Sequence, residues 1–360
     1  MRVMAYAYLA RNATAHAIAG LRLAHQSFAA SISARTFASA TCGRIIASCP
    51  VQPAPSSIAD SPQAFLRYAL SQQSAPLHFT SSRDQQPTPQ RSRAEELIQN
   101  MRQSEDRLVE IELGRYDRAA SGTFDRVPVC LGQYLDWLES AERSDGLIAG
   151  QQVYLAQWRG SDEVPALASI VTPPPLLNDL LETRCVDLYQ RSFFIGPTSA
   201  VTPLHYDPYM NLYHLEASSN PLSCAKHFLL IPPSAAEFVK RADDFSALRN
   251  TSSLDFSLCR RHSAHYKCAF DIVASSTVPE RSSEVLSSVA LSCILREGET
   301  LFIPKRWWHR VENVSLLDEA SEGSARSIAG WTAGIGWWFL PRESPQRSYN
   351  ITENTGPGLG

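Results

Sequence analysis

Two histidines and a carboxylate stand where they could hold a metal ion. In Thr202-Pro203-Leu204-His205-Tyr206-Asp207-Pro208, an extended backbone sends residues i and i+2 to one face, so His205 and Asp207 present an imidazole and a carboxylate side by side. Two ligands leave a metal under-coordinated, so a third must come from elsewhere in the chain. The segment Gly298-Glu299-Thr300-Leu301-Phe302-Ile303-Pro304 reads as a strand introduced by a turn and ended by proline, which places His309 just past its end. Two histidines and one carboxylate suit Fe(II) and leave positions open for a cosubstrate and oxygen. An HxD tripeptide also arises by chance, and its meaning here comes from the distant Trp307-Trp308-His309 that pairs with it.

A second group of metal-binding types is Cys259, His262, His265 and Cys268, four ligands within ten residues. Structural zinc usually takes two close pairs separated by a longer loop, so this run reads better as a solvated polar loop. The eight cysteines contain no C-x-x-C pair. In a chain of 360 residues they read as reduced thiols rather than a disulfide framework.

The elements that must position these residues are mostly short strands. From about residue 186 the chain alternates apolar runs with Gly and Pro: 193–195, 200–204, 212–215, 227–231, 291–295, 300–303 and 331–339. Many short strands divided by turn residues predict a β-sandwich or barrel. The polar stretch 234–288 reads as a helical or loop insertion between two β blocks. Upstream, 62–73 reads as a short helix, 80–93 as a loop, 107–116 as a strand, and the apolar spacing of Leu131, Tyr134, Leu135 and Leu138 as a helix after Pro128. The Pro/Ser stretch 50–58 reads as a linker.

Charge and composition narrow the classes. Thirty-three basic and thirty-six acidic residues give a net charge of −3, which argues against a strongly basic nucleic-acid scaffold and leaves a local basic groove open. The longest apolar run, 289–295, is far short of the ~18 residues needed to span a bilayer, so no membrane insertion is expected. Oligomeric state has no signature in the sequence. Before the first acidic residue, Asp60, stand five arginines and many Ala, Ser and Thr. That composition is that of a mitochondrial transit peptide, with Arg35-Thr36-Phe37-Ala38-Ser39 similar to a matrix-processing site; a helical extension or a misplaced start is the competing reading.

Several blocks together resemble the JmjC (jumonji C) family of Fe(II)/2-oxoglutarate oxygenases, and among them the small cupin-8-type hydroxylases related to JmjC domain-containing protein 5. They are YLAQW (154–158), EVPAL (163–167), FFIGPTSAVTPLHYDPYMNL (193–212), KHFLLIPP (226–233) and LSCILREGETLFIPKRWWHRVEN (291–313). The resemblance implies a mainly β fold: a double-stranded β-helix, or jelly-roll, catalytic core over 153–345. Before it come an α/β part at 59–152 and an N-terminal extension at 1–58. It also implies that His205, Asp207 and His309 hold Fe(II), that Lys226 grips the distal carboxylate of 2-oxoglutarate, and that Thr202, Asn211 and Tyr154 line the same cosubstrate. Trp307 and Trp308 are expected to pack around the pocket. Two polar insertions depart from the family pattern, at 217–224 and 321–327, and the family's Gly before the lysine is missing.

The function expected from this resemblance is hydroxylation of a side chain in a protein or peptide substrate. Lysine demethylation uses the same residues, since hydroxylating a carbon next to nitrogen releases formaldehyde, but the chain lacks a zinc-finger cysteine array of the kind that accompanies histone demethylases. A tRNA-modifying oxygenase fits the near-neutral charge less well, because phosphate contacts need clustered cations. A non-catalytic cupin-like binding module would be expected to have lost a ligand or Lys226, and the sequence keeps all four.

Overall fold

The computed structural model describes residues 43–80, 92–116, 124–143, 153–198, 200–239, 249–261, 269–316 and 330–342. The segment expected as a transit peptide, most of the loop expected at 80–93, the insertion expected at 321–327 and residues His262, His265 and Cys268 lie outside them; at the described end of 80–93, Ser92 caps a helix that begins at Arg93.

The strands in chain order begin with β1 (Arg44–Ile46), β2 (Cys49–Pro50), β3 (Leu77–Phe79), β4 (Leu108–Leu113), β5 (Asp125–Cys130) and β6 (Val153–Trp158). The core follows with β7 (Val186–Pro197), β8 (Val201–Tyr206), β9 (Met210–Ser218) and β10 (Cys224–Ile231). After the inserted β11 (Phe256–Arg261) and β12 (Ala269–Ala274) it closes with β13 (Leu291–Leu295), β14 (Thr300–Ile303), β15 (Trp308–Ser315) and β16 (Trp331–Pro341). Strands β14-β9-β16-β7 form one sheet and β13-β10-β15-β8 the facing one, so eight antiparallel strands build the jelly roll. The first sheet is extended by β3 at one edge and by β6-β4-β5 at the other, the second by β2.

Alternation along the strands divides the core. On β16, Ala333, Ile335 and Trp337 face an outer cluster with Phe65, Leu97, Leu135, Leu167 and Leu180 from the flanking helices. The opposite face looks into the barrel, where Tyr154, Phe194, Tyr213, Phe228 and Val311 pack together. No helix among the described residues is long and apolar enough to cross a membrane.

The structure departs from expectation in four places. The stretch 50–58 is not a linker: the Val51 N–H donates to the Ser292 carbonyl, the Ala54 N–H donates to His78, and Ser56–Ala59 is helical. The insertion 234–288 contains the β11/β12 hairpin as well as the helix Glu280–Val289. Phe256 and Leu258 on β11 alternate with Ser257 and Cys259, a strand pattern masked by polar surroundings. Pro128 sits within β5, an edge strand, where its missing N–H costs no ladder bond. Of the stretch 217–224, expected as an inserted turn, Ala217, Ser218 and Cys224 belong to strands and only 219–223 form the turn between β9 and β10.

Candidate metal and cosubstrate site

His205 and His309 are directly paired across β8 and β15, and the register slips between His309 and Val311. That slip lets Thr202 and His205, three apart, both serve the interior. His309 lies past the end of β14, as expected, and is the second residue of the next strand, β15. The turn before it is tight: Arg306 adopts φ 65, and its N–H donates to the Asp207 carbonyl at 2.8 Å. A left-handed conformation at a non-glycine residue is tolerated only where its surroundings hold it, and here it ties the two ligand-bearing loops together.

The imidazoles are set for a metal. His205 Nδ1 lies 2.8 Å from the Pro203 carbonyl and His309 Nδ1 3.0 Å from the Trp307 carbonyl. A carbonyl can only accept, so each Nδ1 carries the proton and each Nε2 keeps its lone pair. Those Nε2 atoms face Asp207, at 3.9 Å from Oδ1 for His205 and 3.6 Å from Oδ2 for His309. All three ligand atoms lie within 4.8 Å of one another. Burial, and then the neighbouring His205, push His309 down to about 4, so it stays neutral and able to donate electrons. Trp338 Nε1 donates to Asp207 Oδ2 at 2.8 Å and holds the carboxylate in place from the opposite sheet, as hydrogen bonds to metal-ligating carboxylates commonly do. The donor set and its tautomers fit Fe(II).

Lys226, on β10, is fully buried. Its Nζ donates to Asn313 Oδ1 at 2.6 Å and to the Tyr154 hydroxyl at 3.4 Å. Asn313 Nδ2 in turn donates to the Gly196 and Pro197 carbonyls at 2.9 Å. No carboxylate pairs with the ammonium among the described residues, and burial alone drives the Lys226 pKa down to about 7. A buried cation without an anion is costly, so this end of the barrel fits a ligand carboxylate.

The other expected residues fall as follows. Tyr154 is buried, its phenol hydrogen-bonded with Thr202 and held protonated by burial. Asn211 is buried too, but its Oδ1 accepts from the Trp337 N–H at 3.1 Å, which leaves its amide NH2 as the side able to meet a ligand. Trp307 and Trp308 are both buried in packing clusters. Cys259 is exposed on β11. Sequence reasoning assigned no role to Asn313 or Trp338. Asn313 was legible, since His309, Val311 and Asn313 alternate onto one face of β15; Trp338 acts across the barrel and had no local signal.

A family model described as a cupin-like domain matches residues 62–344. Among curated proteins, the chain is 23% identical over 175 residues to "Lysine-specific demethylase JMJ30" of Arabidopsis thaliana, covering 45% of this chain and 35% of that protein. It is 31% identical over 123 residues to the human "Bifunctional peptidase and (3S)-lysyl hydroxylase JMJD7", covering 34% and 37% respectively. To the Gallus gallus "2-oxoglutarate and iron-dependent oxygenase JMJD4" it is 26% identical over 208 residues, covering 55% and 41%. The chain spans less than half the length of each of these relatives.

Proposed function

The chain belongs to the cupin-like JmjC family, and from that premise we propose that it is an Fe(II)- and 2-oxoglutarate-dependent dioxygenase that hydroxylates a side chain of a protein substrate. The observation that carries this reading is the pairing, in one barrel, of a His-Asp-His face with a buried lysine that meets no carboxylate among the described residues. The relatives' names support the general class: one is a 2-oxoglutarate and iron-dependent oxygenase and one a lysyl hydroxylase.

His205, Asp207 and His309 would hold Fe(II), which with 2-oxoglutarate and O2 supplies the oxidising power to hydroxylate an unactivated carbon. The protein does the rest. Lys226, held by Asn313, receives the distal carboxylate. Tyr154, Thr202 and Asn211 line the cosubstrate. Trp338 keeps Asp207 from swinging away from the histidines. The apolar walls of Phe194, Phe228 and Val311 exclude water, which strengthens each polar contact inside.

The name of the Arabidopsis relative favours a second outcome, lysine demethylation, which needs the same residues. Incubating the protein with Fe(II), 2-oxoglutarate and a cell extract and then mapping modified peptides separates the two. Hydroxylation predicts peptides gaining about 16 Da, one oxygen, without formaldehyde; demethylation predicts formaldehyde and peptides lighter by about 14 Da, one methylene. Succinate formation that persists at wild-type rate in His309→Ala would contradict both.

A further inference from the structure

Strand β8, which carries His205, is the last strand of its sheet, in the order β2-β13-β10-β15-β8. An edge strand presents a row of backbone groups that something must cover. Here residues 249–256, from the insertion between β10 and β13, cover it. The Ser252 N–H donates to the Leu204 carbonyl at 2.7 Å, and Thr251 bridges antiparallel to His205. Thr251 and Ser252 are buried, and Leu254 and Phe256 pack with Leu204 and Trp308. Further along the same segment, Asp255 meets Arg115, just past β4, at 2.8 Å. The segment is therefore tied down at its far end as well.

Asn250 acts on the metal face itself. The Tyr206 N–H donates to the Asn250 carbonyl at 3.0 Å, and Asn250 Nδ2 donates to the Tyr206 carbonyl at 3.1 Å. Tyr206 stands between His205 and Asp207, so one residue holds both peptide units that join the two ligands. Rotation of either unit would carry the imidazole away from the carboxylate. The Tyr206 ring is braced separately, edge-on to Trp308 at 4.9 Å between centroids.

Resting on the dioxygenase reading, we propose that Asn250 is a positioning residue for the metal site, locking the His205–Asp207 backbone in the arrangement that turns both side chains to one ion. A residue of the insertion thus tunes a centre built by the barrel. Groups that orient metal ligands from behind raise metal affinity. The coupling is reciprocal: a metal that draws His205 and Asp207 together must in turn steady residues 249–252.

The test uses Co(II), a redox-stable stand-in for Fe(II), with Asn250→Ala and Asn250→Asp. The first removes the carboxamide; the second keeps its size and sets an acceptor against the Tyr206 carbonyl. Loss of one hydrogen bond predicts about 3- to 10-fold weaker Co(II) binding in Asn250→Ala and a larger loss in Asn250→Asp, with an altered Co(II) visible spectrum in both. A merely structural role would lower the melting temperature and leave Co(II) affinity and spectrum as in wild type; that result overturns the inference. The wild type supplies a second measurement that needs no variant to fold. When Co(II) binds, amide hydrogen exchange should slow in 249–252 as well as in 203–207, and slowing confined to 203–207 overturns the inference too. Either failure leaves the dioxygenase reading standing, whereas a wild type that binds no divalent metal brings down both together.

Discussion

Lys226 concentrates the chemistry of the site in one atom. Burial lowers its pKa to about 7, so above that pH the amine is largely neutral unless an anion joins it. A carboxylate favours the charged form and raises the pKa again. If the distal carboxylate of 2-oxoglutarate meets Lys226 as proposed, binding takes up a proton above about pH 7, and 2-oxoglutarate affinity should be flat below that pH and fall by up to about tenfold per unit above it. Calorimetry in buffers of different ionisation enthalpy at about pH 8 should count close to one proton taken up per ligand. In Lys226→Met the uptake should vanish and binding weaken by about 2–5 kcal/mol, the range for truncating one partner of a buried charge pair. No proton uptake in the wild type would mean that the ammonium does not meet the ligand. The lysine itself stood out in the sequence, one of only four beside twenty-nine arginines. Its clamp, Asn313, was legible as a shared strand face and went unread.

At the scale of elements, the strands that carry ligands were legible because each is a short apolar run closed by a turn, and Leu291–Leu295 and Thr300–Ile303 fall where the pattern put them. What hid was structure whose cue is polar. The helix Arg93–Arg102 has a full capping box, Ser92 with Glu95, a signal readable in the sequence. It clips to the sheet through Arg93, which binds Glu216 on β9, a contact between residues far apart in the chain that no local pattern announces. Close approach of elements is equally invisible from residue types alone. Gly196 lets the Tyr154 ring lie against β7, and an added Cβ would also come within 3.1 Å of Ala200. Gly196→Ala should destabilise the fold by about 1–3 kcal/mol, as overpacking does, and should weaken 2-oxoglutarate by displacing Tyr154 from Lys226. A urea midpoint and a cosubstrate affinity both equal to wild type would show that β6 yields to the extra methyl at no cost.

Across the whole molecule, the two sheets of the jelly roll contribute different parts of one machine. The β13-β10-β15-β8 sheet supplies both histidines, Lys226 and Asn313. The facing sheet and its β6 extension supply Trp338, Asn211 and Tyr154. Neither sheet alone makes the site, so folding of the barrel and assembly of the site are one event. The jelly roll was legible from strand spacing and the resemblance, while the inserted hairpin and the packing of 50–58 required the tertiary structure. On the proposed reading, one barrel binds the metal at one end of a ligand and the ligand's distal carboxylate at the other. The most direct test is anaerobic titration of 2-oxoglutarate into the Fe(II)-loaded protein, read by metal-to-ligand charge-transfer absorbance. The wild type should bind one Fe(II) and one 2-oxoglutarate per chain, the double variant His205→Ala, Asp207→Ala no iron, and Lys226→Met iron with weakened cosubstrate. Unchanged iron in the double variant, or a charge-transfer band of full affinity in Lys226→Met, would contradict that reading.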